Sequence, residues 1–126
     1  MTTDKTIKQI ESTSQTFHEQ ATLLSEKLAQ VEERLNAMKG KVQCAVGTGT
    51  VNDPGLMWQR DGKTYALFIW TNDAREPEIK VSEAKLRHKI IAAKLLHQLL
   101  DAILAEQKTE LQAVQEAIQR IDALKI

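Results

Sequence analysis

Between residues 5 and 39, a stretch without Gly or Pro, apolar side chains recur at alternating steps of three and four. With Ile7 at heptad position a, the a series is Ile7, Ser14, Ala21, Leu28 and Leu35, and the d series is Ile10, Phe17, Leu24, Val31 and Met38. Only Ser14 interrupts the seam. A seam in register over five heptads is the pattern that seats knobs into holes on another helix. It predicts a helix over 5–39 with Gly40 as its left-handed stop. The stripe is too narrow for that helix to stand alone.

A second seam runs through Leu86, Ile90, Ala93, His97, Leu100, Leu104, Gln107, Leu111, Val114, Ile118, Ile121 and Lys125, again without Gly or Pro. Ser82 is the expected N-cap, so the predicted helix covers 82–126. Between residues 90 and 104 a second stripe appears (Ile91, Leu95, Leu96, Leu99, Ile103), as in a segment buried from more than one side. Glu106-Gln107-Lys108 forms a polar gap, and Thr109-Glu110-Leu111-Gln112 matches a capping box. The unbroken register favours one long helix, bent near 107, over two helices.

The middle of the chain has a different rhythm. Residues 41–55 read as a loop rich in turn formers from Gly47 to Gly55, with Lys41–Val46 either a short strand or a last irregular turn. Residues 56–71 are β-rich on both sides of Asp61-Gly62, which predicts a hairpin with a two-residue type I′ turn. That turn would set Arg60 opposite Lys63 and Trp58 opposite Tyr65. One face would carry Leu56, Trp58, Tyr65, Leu67 and Ile69, and the other Met57, Ala66, Phe68 and Trp70. Both faces are apolar, so both need cover. Residues 72–81 read as a loop, since Pro77 forbids an early helix.

The predicted fold is therefore mainly α with a small β-hairpin (α+β): two long heptad-patterned helical regions flanking the hairpin in one domain, 1–126. The helices are expected to lie antiparallel. Two helices cannot cover the wide stripe at 90–104, so the expected assembly is an oligomeric helical bundle, a homodimer or a tetramer.

Composition narrows the partners. Lys and Arg number 17 and Asp and Glu 17, giving a formal net charge of zero. A protein living on nucleic acid or anionic membrane usually carries a basic excess. No apolar run is long enough to span a bilayer. Cys44 is the single cysteine, so no internal disulfide forms, which fits a reducing, cytoplasmic setting.

Candidate chemistry is sparse. Gly47-Thr48-Gly49-Thr50 faintly resembles a phosphate-binding loop but lacks the Gly-Lys-Ser/Thr of a P-loop, and a surface loop is the plainer reading. His97 and Asp101 share a helix face and would need partners from another chain to hold a metal; a polar seam residue setting register is the commoner explanation. Cys44 has no basic partner nearby in sequence. We therefore expect no enzyme, no cofactor and no metal. Lys80, Lys85, Arg87, His88, Lys89 and Lys94 form a basic run at a helix start, where the macrodipole disfavours cations. Arg60, Lys63, Lys85, Arg87 and Lys89 are candidate contacts for nucleic acid or an acidic partner, against ordinary pairing with nearby Glu. Trp58, Tyr65, Phe68 and Trp70 are a candidate aromatic interaction patch, against ordinary sheet packing. The preferred function is an oligomeric protein–protein interaction scaffold or regulator. The alternatives are a nucleic-acid accessory protein using the hairpin tip and basic helix start, and a small-molecule-binding protein or enzyme with a pocket at the hairpin–bundle junction. Short chains of this kind resemble products of mobile genetic elements, a likeness that no motif carries.

Overall fold

The computed structural model describes residues 2–125. Two long helices flank a four-stranded antiparallel sheet: α1 (Thr2–Asn36), β1 (Cys44–Val46), β2 (Gly55–Asp61), β3 (Thr64–Trp70), β4 (Glu78–Lys80), a 3₁₀ turn (Val81–Glu83) and α2 (Leu86–Ala123). The strands pair in sequence order, β1-β2-β3-β4. Ile126, the last residue of the predicted second helix, lies outside the described residues.

The hairpin is not alone. Of the two readings of 41–46 the strand forms, and it pairs with β2; Glu78–Lys80, expected as loop, pairs with the end of β3. Both give the free edges of the central hairpin hydrogen-bonding partners.

The hairpin register also differs from expectation. Arg60 pairs with Tyr65 and Trp58 with Leu67, and the two loop residues are Gly62 and Lys63. A type I′ turn at Asp61-Gly62 would require positive φ at Asp61. Here Gly62 alone takes positive φ (62°), at the first loop position, where a type II′ turn wants glycine. The slip moves the pairing by two residues, so every side chain keeps its predicted face.

One face holds the core: Leu56, Leu67 and Ile69 are fully buried and Trp58 is 1% exposed. Trp58 and Tyr65 are diagonal neighbours, ring centroids 5.4 Å apart. The other face buries Ala66 and Phe68. Two side-chain bridges from β2 to β4 reach across β3 on that face. Lys80 Nζ lies 2.6 Å from Asp61 Oδ2, and Gln59 Nε2 donates to Glu78 Oε2 at 3.0 Å. This polar roof is part of the cover of the second face, over Ala66 and Phe68.

α1 begins earlier than expected and ends at Asn36 rather than 39. Gly40 does adopt positive φ (72°), but beyond the helix. Asn36, the last residue of α1, ties that end of the helix to the sheet. Its Nδ2 donates to Tyr65 O (2.7 Å), its Oδ1 accepts from Tyr65 N–H (3.0 Å), and Glu32 Oε2 accepts from Leu67 N–H (3.3 Å). These side chains satisfy the part of β3 that β4 does not reach.

α2 starts at Leu86, not at Ser82. Val81, 2% exposed, anchors the 3₁₀ turn in the core, and Lys85 is an N-cap residue without a side-chain cap. The helix runs unbroken through 107, and Thr109 Oγ1 donates to Ala105 O within it instead of opening a new one.

The helices are parallel, not antiparallel. Phe17, Ala21 and Leu24 lie by Leu86 and Ile90, Ser25 bonds Lys89, Leu35 and Met38 lie by Leu100, and Gly40 O accepts from Gln107. The reason is β3, which runs back along α1 from Asn36 toward Glu32. The chain therefore begins α2 beside the middle of α1. The face of α2 turned to the sheet is also the second stripe. Ala92, Leu99 and Ile103 are buried, whereas Ile90, Ala93, His97 and Leu104 of the predicted seam are exposed. Among the described residues, no helix is long and apolar enough to cross a membrane.

Candidate functional site

Because α1 and α2 run the same way but are offset, each leaves an arm beyond the shared body, at opposite ends. Residues 2–20 of α1, and 108–123 of α2 with the two residues after it, are exposed throughout. At 1.5 Å per residue the helical parts of the arms are about 28 and 24 Å long. Both keep the heptad pattern. Phe17 is 61% exposed and Ile118 53%, with Ile7, Ile10, Leu111 and Ile121 similarly bare. A solvated helix face normally carries polar groups at such positions.

The arms continue an open trough between the helices in the body. One stretch, about 360 Å³, is lined by Val31, Arg34, Leu35, Met38 and Leu100. Another, about 160 Å³, lies between Phe17, Leu24, Leu86 and Ile90. No sheet residue lines either stretch. The trough and the arm seams use the same heptad positions.

The other candidates are dispersed. Arg60 and Lys63 sit at the hairpin tip, level with Asn36, and Arg60 Nε donates to Gly62 O (3.0 Å). Lys85 and Arg87 are exposed beside the middle of α1, roughly 20 Å away at helical rise. Lys89 donates to Ser25 Oγ (3.0 Å) and so belongs to the helix–helix contact. The five basic residues do not form one patch. The four aromatic residues are divided between the sheet's two faces. Trp58 is core, Tyr65 stacks on it, Phe68 lies beneath the polar roof, and Trp70 is half-buried.

Trp70 accounts for the glycine-rich loop. A Cβ at Gly49 or Gly55 would collide with the indole, so these glycines form its slot, and Gly49 also takes positive φ (72°). Asp53 ties the loop together. Thr48 Oγ1 lies 2.8 Å from Asp53 Oδ2, and Asp53 N–H donates to Thr50 Oγ1 (3.0 Å). These contacts are what the Gly-Thr-Gly-Thr run does here. Trp70 Nε1 and His88 Nδ1 are buried with no hydrogen-bond partner among the described residues.

A groove of about 270 Å³ between α1 and the start of α2 holds Glu32, Asn36, Ser25 and Lys89, but their polar atoms are engaged in the contacts already given. His97 lies exposed on α2, 3.4 Å from Asp101. Among the described residues no three His, Cys, Asp or Glu side chains cluster as metal ligands. Cys44 is half-buried against α2. Burial chiefly, then the charges of Glu106 and Glu110, push its thiol above the ordinary range, toward the unreactive protonated form. The sequence named every seam residue but did not show which lack a partner; the offset of the two seams depends on β3.

The chain matches no protein-family model, no curated protein and no solved structure.

Proposed function

We propose that this chain is a self-associating helical scaffold, with the sheet as a rigid body and the helical arms as its assembly elements. The observation that supports it is the pair of bare heptad seams on oppositely placed arms. Each exposed apolar side chain of this size gains about 1.5–3 kcal/mol on full burial, so such a seam strongly favours a protein partner over water. Zero net charge sets no repulsion against like copies.

Sedimentation equilibrium tests it. The expected mass is a multiple of the chain mass, falling to one chain in the double variant Ile10→Glu/Ile118→Glu while sheet and helix signals persist. A folded single chain at high concentration would overturn the reading.

A further inference from the structure

We infer that the partner on the arms is a second copy of this chain, turned end for end about a two-fold axis across the middle of the helices, so that each α1 arm lies antiparallel on the partner's α2 arm. This rests on the scaffold reading and adds the identity and register of the occupant.

Three features lead to it. The first is length. The free arms lie at opposite ends of the body and their helical parts differ by less than one turn. A two-fold that reverses the axis brings each arm onto the complementary arm of the other copy, and both pairs form at once. Such an assembly closes at two chains. Pairing α1 arms with each other, or α2 arms with each other, leaves the other pair bare; stacking chains head to tail leaves an arm bare at each end of an open filament.

The second is heptad phase. Antiparallel helices pair an a position on one with a d position on the other, and the step sequence of the two must match when one is read backward. Placing Ile10 opposite the partner's Ile118 sets Phe17 opposite the partner's Leu111 and Leu24 opposite the partner's Leu104. The same register, carried into the body, sets Met38 opposite the partner's Ile90. Leu104 and Ile90 are the large apolar residues that α2 leaves exposed in the body. A shift of one heptad preserves phase but leaves unpaired turns at the arm ends. The centred register covers the arms most fully, with residues 5–20 of one chain facing 108–123 of the other.

The third is area and continuity. The arm seams are about half exposed, leaving on the order of 800 Å² of apolar surface per chain, what one partner contributes to a standard stable interface. The trough between α1 and α2 continues that surface through the body. Two copies facing each other across it make a four-helix layer with a sheet on each outer side.

The test is engineered disulfide cross-linking in a Cys44→Ala background. Ile10→Cys and Ile118→Cys are introduced singly and together, and the substituted seam positions are exposed, so the fold is not at risk; circular dichroism checks it. Under mild oxidation the double variant is expected to give covalent dimer with no ladder, on the order of tenfold or more above either single variant, as for thiols held at millimolar effective concentration. A control, Ile10→Cys/Leu111→Cys, one heptad out of register, is expected to stay uncross-linked. Efficient cross-linking of either single variant, a ladder from the double variant, or preference for the control would overturn this arrangement. So would a dimer by mass whose double variant fails to cross-link. These results leave the scaffold reading standing, whereas a single-chain mass removes both.

Discussion

The two halves of α1 carry one pattern and meet two fates. From Leu24 to Leu35 the seam is buried or half-buried against the sheet and α2; from Ile7 to Phe17 it is bare. The same division recurs in α2, between the stretch around Leu99 and the stretch beyond 108. Periodicity thus states that a helix face wants cover, while the topology of the strands decides how far the chain itself supplies it. The body is stabilised by its own contacts. The arms stand exposed beyond those contacts.

Matched truncations make that contrast measurable. Trp58→Ala removes a fully enclosed indole from the centre of the sheet and is expected to cost about 3–5 kcal/mol by urea unfolding, independent of protein concentration. Leu111→Ala, on the arm, is expected to change single-chain stability by about 0.5 kcal/mol or less, since its side chain touches little within the chain. Any larger effect of Leu111→Ala must grow with protein concentration, because it acts through association. Equal, concentration-independent losses at both sites would erase the distinction between body and arm.

A smaller effect probes how the body is joined to the helix that carries the first arm. Asn36→Ala deletes both hydrogen bonds to the Tyr65 backbone and leaves that N–H and C=O partly buried at a strand edge. The expected loss is about 1–2 kcal/mol, read as a lower urea midpoint with unchanged slope. No loss would mean that water replaces the amide freely, and that apolar contact and the Glu32 bond to Leu67 N–H suffice to hold α1 to the sheet.

Much of the fold was legible because it depends on local period. Both long helices, the hairpin, the membership of its two faces and the left-handed Gly40 and Gly62 follow from residues close in sequence. What escaped depends on contacts distant in sequence. Asn36 ties the end of α1 to a backbone 29 residues away. Glu78–Lys80 becomes a strand because β3 offers a free edge, although its own three residues carry no strand signal. Val81 overrides the N-cap signal of Ser82 by burying itself. The parallel order of the helices follows from β3 running back along α1, which no periodicity records. For the candidate site, the seam residues were legible and their lack of partners was not, since exposure appears only when the offset of the helices is known.

The smallest expected effect lies where body meets arm. Cys44 is on β1 facing α2, close enough to Glu106 and Glu110, at the root of the arm, to feel both charges. Burial is the larger cause of its raised pKa, the carboxylates the lesser, and all three disfavour the thiolate. A raised folded-state pKa means that the protonated thiol contributes stability below the ordinary thiol range, and that this is lost as pH rises through the folded value. Reactivity follows the same sign, because the thiolate is the attacking species. Alkylation by iodoacetamide should therefore be slower in the folded chain than in urea at neutral pH, with a pH midpoint above that of a free thiol. Glu110→Gln should move the midpoint down modestly, since one of the lesser causes is removed and burial stays. The contribution of Glu110 requires α2 to continue as helix past the body, so that its charge stays within reach of Cys44. A midpoint insensitive to Glu110→Gln would show that the arm leaves the sheet earlier than residue 110, and the boundary between the two regions would move toward Ile103.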